Sequence, residues 1–96
     1  MKVSYSDMAI GQLDNIFQYI SQERPNIAKK VYTEIVNAAN GLSRNYKLYR
    51  LIGDNIRLMP VYKGKFRVLY DVDEVNQEVH IQIIQHHSQD MTQHIS

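Results

Sequence analysis

The fold is decided by two apolar stretches, FRVLYDV at Phe66–Val72 and EVHIQIIQ at Glu78–Gln85. Both are rich in β-branched and aromatic residues, which favour extended backbone. The segment Asp73–Gln77 between them is short and mostly polar, as is typical of a turn. The sequence therefore predicts two antiparallel strands joined by a short connection.

Two further strands are predicted upstream of this pair. Leu48–Ile52 could form a strand, and it is followed by the turn residues Gly53–Asn55. Ile56–Tyr62 is the next predicted strand, and Lys63–Lys65 forms a turn after it. Because Pro60 has no backbone N–H, it indicates either a sheet-edge position or a bulge.

A helical hairpin is predicted before these strands. Val3–Tyr5 alternates as a short strand does, and Ser6 is expected to cap a helix over Asp7–Gln22. A second helix is expected over Pro25–Asn40, since proline suits a first turn and Gly41 can end a helix. Two helices joined by so short a link must fold back antiparallel.

This order of elements, β-α-α-β-β-β, predicts the α+β class. We expect an N-terminal strand and an antiparallel helical hairpin packed on a three- to four-stranded antiparallel sheet, in one domain over residues 1–96. Strand residues alternate between the two faces of a sheet. In the last three strands, Arg57 alternates with Ile56 and Leu58, Arg67 with Phe66, Val68 and Tyr70, and Gln82 and His86 with Val79, Ile81 and Ile83. If these apolar sets all meet the helices, the opposite, open face of the sheet carries Arg57, Arg67, Gln82 and His86.

The composition excludes several classes of protein. The chain has no cysteine, which removes disulfides, thiolate catalysis and cysteine-ligated zinc. No apolar run is long enough to cross a membrane, and no apolar signal segment follows Met1. We therefore expect a cytoplasmic protein without membrane attachment.

Charge is unevenly distributed, although the formal net charge is only +1. Basic residues concentrate in Lys47–Arg67 and acidic residues in Asp71–Glu78. A local positive field can attract an anionic partner. The alternative interpretation is two solvated strand edges with no partner.

The motifs in these elements resemble the RelE/ParE toxin superfamily. In that superfamily an aromatic–Arg–aliphatic–x–Tyr strand, here Phe66–Tyr70, precedes a β-branched strand that ends in a His-x-x-x-Asp segment, here His86–Asp90. The resemblance continues through the helical hairpin, with Pro25 and Ala28 at matching positions. It is closer to the ParE-like branch, because the tail Ser88–Ser96 lacks the Arg, Lys and Tyr typical of RelE-type nucleases.

The resemblance implies the toxin of a type II toxin–antitoxin system, neutralised by a small cognate antitoxin. ParE-like members bind and poison DNA gyrase, whereas RelE-like members cut mRNA on the ribosome. The leading interpretation is a growth-inhibiting, gyrase-binding toxin that is not an enzyme. The alternatives are a ribosome-dependent mRNA endonuclease and a degenerate, non-toxic module that only binds an antitoxin.

Each interpretation assigns roles to particular residues. Under the nuclease alternative, the catalytic residues are Arg57, Arg67 and His86. We expect no cofactor and no metal, since His86, His87 and His94 offer no well-spaced third ligand. Arg67 could instead pair with Asp71 within the fold, and His86 with Asp90. The residues expected to bind the partner or target are Lys47, Arg50, Arg57, Lys65, Arg67, His86 and Asp90.

Overall fold

A computed structural model describes residues 1–88, and in it a helical hairpin packs on one sheet. The elements are β1 (Lys2–Tyr5), α1 (Asp7–Ser21), α2 (Pro25–Asn45), β2 (Arg50–Gly53), β3 (Ile56–Val61), β4 (Phe66–Asp73) and β5 (Glu78–His86). The sheet is five-stranded in the order β1-β5-β4-β3-β2. The α+β class and the hairpin are confirmed.

The sheet is larger than expected and mixed, because β1 joins it as the parallel neighbour of β5. A parallel pair needs a long crossover connection, and the helical hairpin supplies part of it. The remaining neighbours pair antiparallel, as predicted. β2 pairs only with residues from Ile56 to Leu58, so Pro60 lies where β3 has no β2 partner. The edge interpretation of Pro60 is therefore confirmed, and β3 pairs with β4 without a bulge.

Both helices begin where the sequence predicts. The Ser6 hydroxyl accepts from the backbone N–H of Ala9 at 2.9 Å and donates to the carbonyl of Gln82 at 2.7 Å, which ties the start of α1 to β5. The expectation that α2 ends at Gly41 is wrong, since α2 continues to Asn45. Leu42 is fully buried one residue later, and its burial offsets the cost of a glycine inside a helix.

The core lies between the hairpin and one face of the sheet. Tyr70 is fully buried there, and its hydroxyl donates to the carbonyl of Tyr46 at 2.8 Å. Burial raises the pKa of Tyr70 to about 12, so this donor stays protonated. The main core side chains are Ala9, Leu13, Val31, Ile35, Ala39, Leu42, Met59, Val68, Tyr70, Val79, Ile81 and Ile84.

A β-bulge in β5 changes which residues face the helices. Tyr70 pairs with Ile81, but the preceding residue Leu69 pairs with Ile83, so Gln82 is an extra residue in β5. After this extra residue, the side chains of β5 point to the opposite faces of the sheet from those that regular alternation predicts. Ile84 is therefore in the core, and the expectation that Ile83 faces the helices is wrong.

Candidate functional site

Arg67 lies on the face of the sheet away from the helices, as predicted. It pairs with Pro60 on β3 and Gln85 on β5, and its Nη2 donates to Gln85 Oε1 at 3.1 Å. Gln85 is only 2% exposed, and Leu69 on the same face is 3% exposed. This outer face is therefore packed around the Arg67–Gln85 pair and is not a bare polar surface.

Arg57 does not share that face, so its predicted position is wrong. It pairs with Tyr70 and has the same orientation as the buried Met59 and Val61. Its Nη1 donates to the carbonyl of Tyr49. Arg57 thereby fixes the segment between α2 and β2 to the sheet, because a charged donor on a backbone carbonyl is a strong hydrogen bond.

His86 is also on the helix side, because the bulge precedes it. It pairs with Phe66, and the two rings meet edge to face with centroids 5.3 Å apart. Burial lowers the pKa of His86, and neighbouring His87 and Lys65 lower it further. Its Nδ1 accepts from the backbone N–H of Ser88 at 3.1 Å. Arg57, Arg67 and His86 are therefore not assembled into one acid–base site.

A groove opens beside His86, between α1, the start of α2 and the end of the sheet. It has a volume of about 730 Å³. β1 ends at Tyr5, so beyond Ile81 β5 pairs with β4 on one edge and has no neighbouring strand within residues 1–88 on the other edge. Gln12 on α1 fills part of this gap, where its Oε1 accepts from the backbone N–H of Ile84 at 2.8 Å. The end of β5, where its outer edge has no partner strand among these residues, and helix α1 thus form two walls of the groove.

The described residues that line the groove are mostly apolar, and the charged ones are basic. Among the lining residues within 1–88, the charged side chains are Arg24 and Lys65, and no Asp or Glu is present. Sequence reasoning missed the groove, because its lining residues come from distant parts of the chain. The apolar and aromatic residues that line it are Ile16, Tyr19, Ile20, Ile27, Val31, Tyr62, Phe66 and Ile84.

The other predicted binding residues do not gather there. Lys47 lies at the opposite end of β4 from Lys65, with its Nζ 3.9 Å from Glu74 Oε1. Arg50 is exposed on the edge strand β2. Asp90 lies outside the described residues. The basic stretch of the sequence is therefore divided between two regions of the molecule.

A polar cluster around His80, on the outer face of the sheet, was also not predicted from the sequence. The Nδ1 of His80 lies 2.9 Å from Asp71 Oδ1 and its Nε2 lies 3.1 Å from Glu78 Oε2. Hydrogen bonds to Glu78 and Asp71 raise the pKa of His80. The two carboxylates sit at opposite ring nitrogens, which does not suit chelation of one ion. Within residues 1–88 there is no group of three or more side chains suited to hold a metal.

The molecule therefore combines a helical hairpin, a mixed five-stranded sheet and a largely apolar groove beside the end of β5. The family model of the ParE toxin of the type II toxin–antitoxin system parDE matches residues 3–91, so the chain belongs to this toxin family. No curated protein matches the chain. No helix within residues 1–88 is both long and apolar enough to cross a membrane.

Solved structures share the fold at low sequence identity. The chromosomal ParDE toxin–antitoxin system from P. aeruginosa aligns with a TM-score of 0.78 at 19% identity, covering 90% of this chain and 95% of that one. The toxin–antitoxin complex RelBE2 from Mycobacterium tuberculosis aligns with a TM-score of 0.59 at 21% identity, covering 88% and 95%. The isolated E. coli RelE toxin aligns with a TM-score of 0.58 at 8% identity, covering 98% and 92%. These structures show the shared fold, and the family model places the chain among the type II toxins on the ParE-like side of the RelE/ParE superfamily.

Proposed function

We propose that this toxin inhibits growth by binding DNA gyrase in the cytoplasm, and that it does not cut RNA. The observation that carries the proposal is the separation of Arg57, Arg67 and His86. A cleavage site needs a base, an acid and a cation within reach of one phosphodiester. Here Arg57 is bound to a backbone carbonyl, and Arg67 and His86 lie on opposite faces of the sheet.

The groove supports the partner part of the proposal, which is binding of a small cognate antitoxin. Burial of apolar side chains drives most protein association, and the groove offers the exposed Tyr19 and Ile27 and the half-buried Ile16 for this purpose. Arg24 and Lys65 in the lining favour a segment that carries carboxylates. We therefore assign the groove to an amphipathic, acidic segment of the antitoxin.

We assign binding of the target to the basic residues Lys47, Arg50 and Arg67. Arg67 on the outer face and the exposed Lys47 and Arg50 are not among the described residues that line the groove. We propose that these three contact the target, whereas Lys65 and His86 contact the antitoxin.

Controlled expression in growing cells tests the proposed target. We expect filamentation and DNA breaks that disappear in cells with a toxin-resistant gyrase, and relief by co-expression of the protein encoded beside the toxin gene. Codon-positioned mRNA cuts with early loss of protein synthesis would instead support the nuclease alternative. A folded protein that leaves growth unchanged but binds its neighbour would support the non-toxic antitoxin-binding module.

A further inference from the structure

The loop between β3 and β4 holds two adjacent non-glycine residues in the left-handed backbone region. The φ angles are 51° at Tyr62 and 56° at Lys63, followed by 79° at Gly64. The N–H of Gly64 donates to the carbonyl of Val61 at 3.1 Å and closes a turn around them. Turns with positive φ at both central positions favour Asn-Gly. A bulky aromatic residue in this region is strained.

One of these two residues with strained backbone also lines the groove. Tyr62 lines the groove and packs against the core, with its ring centroid 6.3 Å from that of Phe66. Lys63 is exposed and is absent from the groove lining. Strained backbone persists where the surrounding structure holds it, and it is concentrated at functional sites. Of the two strained residues, Tyr62 is therefore the one whose side chain is placed to contact a molecule bound in the groove.

We infer that Tyr62 is an affinity-determining residue for the antitoxin, and this rests on the proposed function of the groove. The turn fixes the Tyr62 ring as a rigid wall against which an apolar side chain of the antitoxin packs. An aromatic ring fixed before binding loses little conformational entropy when the complex forms. Fixed aromatic side chains in buried pockets commonly dominate binding energy. Lys65, close to it in the chain, meets a carboxylate of the same segment.

A purely structural role would have a different signature. If the ring only fills the edge of the core, its removal lowers the melting temperature and leaves the affinity of the folded protein unchanged. Affinity and melting temperature therefore have to be measured on the same variants.

The experiment titrates the purified toxin with the protein that is encoded beside its gene and co-purifies with it. Tyr62→Asn keeps a residue that tolerates positive φ but removes the ring, and we expect its Kd to rise at least about 10-fold. Tyr62→Phe keeps the ring, so its Kd should stay within about 3-fold of wild type. Lys63→Gly relieves strain without touching the ring. It should raise the melting temperature by roughly 4 °C and leave the Kd unchanged.

The outcomes separate this inference from the proposed function. If wild type binds no neighbouring protein, the proposed function fails and the inference with it. If wild type binds and Tyr62→Asn binds equally well, only the inference is overturned. Should Tyr62→Asn fold poorly, the same substitution is measured in the stabilised Lys63→Gly background, where unchanged affinity would again overturn it.

Discussion

Two carboxylates flank His80, and each stabilises the imidazolium form. Asp71 and Glu78 sit at opposite ring nitrogens, and their hydrogen bonds raise the pKa of His80. The folded state therefore binds this proton more tightly than the unfolded state does. The resulting stabilisation is complete below the unfolded value of about 6.5 and is lost as the pH rises through the higher folded-state pKa.

We expect His80→Gln to remove this pH dependence. The free energy of unfolding of wild type minus that of the variant should fall as the pH rises above about 6.5. The His80 side chain is 33% exposed, so the full effect should stay below about 1 kcal/mol. Urea denaturation between about pH 5.5 and 8.5 measures it. A difference that is flat across this range would show that the two hydrogen bonds do not hold the proton.

Arg67 stabilises the outer face through its hydrogen bond to Gln85, apart from the target contact proposed for it. Arg67→Ala leaves the buried carbonyl oxygen of the Gln85 side chain without the guanidinium that donates to it. An unsatisfied buried polar group costs about 1–3 kcal/mol. We therefore expect lower stability in denaturant, together with weaker growth inhibition. Lys65→Ala, an exposed position, is the control, and equal stability of the two variants would contradict the argument.

The same residues show what sequence reasoning can reach. Ser6 was predicted as a cap and Arg67 as an outer-face residue, because a cap and a regular strand depend on a few adjacent positions. The hydrogen bonds of His80 were not predicted, because one partner, Asp71, lies opposite it on β4 and the other, Glu78, lies on β5 itself. Their role becomes visible only when the register between β4 and β5 is known.

At the scale of elements, the bulge in β5 decides the site. A single extra residue, Gln82, moves Ile84 and His86 to the helix side of the sheet. Nothing in the stretch IQII signals this, because Ile83 and Ile84 are equally apolar. For β3, the set of residues that faces the helices was predicted wrongly, because Ile56 and Leu58 are as apolar as Met59 and Val61. The existence of these strands was therefore predictable from composition, whereas the facing of β3 and of the end of β5 was not.

The continuation of α2 past Gly41 leads to a stability prediction. The added Cβ in Gly41→Ala would meet only Asn45 Nδ2, at 4.0 Å, so no clash is expected. Alanine inside a helix is more favourable than glycine by roughly 0.5–1 kcal/mol. We expect the melting temperature to rise accordingly. Gly64→Ala is the matched control, because φ is +79° there and the substitution should destabilise. A loss of stability in both variants would contradict the helical assignment of Gly41.

At the scale of the whole molecule, the α+β class and the helical hairpin followed from periodicity, and the family followed from motif order. The parallel pairing of β1 with β5 could not be predicted, since a four-residue strand carries no signal for its neighbour. The groove depends on that pairing, because it opens where β1 ends. The candidate site is therefore a consequence of topology and register more than of any motif.

The charge of the groove gives the last prediction. Lys65 lines the groove and Lys63, two residues away in the same loop, does not. Lys65→Glu should weaken binding of the antitoxin by about 1–3 kcal/mol, or roughly 5- to 150-fold in Kd, because it places a like charge opposite the expected carboxylates. Lys63→Glu changes the net charge by the same amount and should stay within about 3-fold. Titrations at low and high salt should also show a smaller salt dependence for Lys65→Glu than for wild type. Equal effects of the two substitutions would mean that overall charge attracts the antitoxin, and that the groove does not select it.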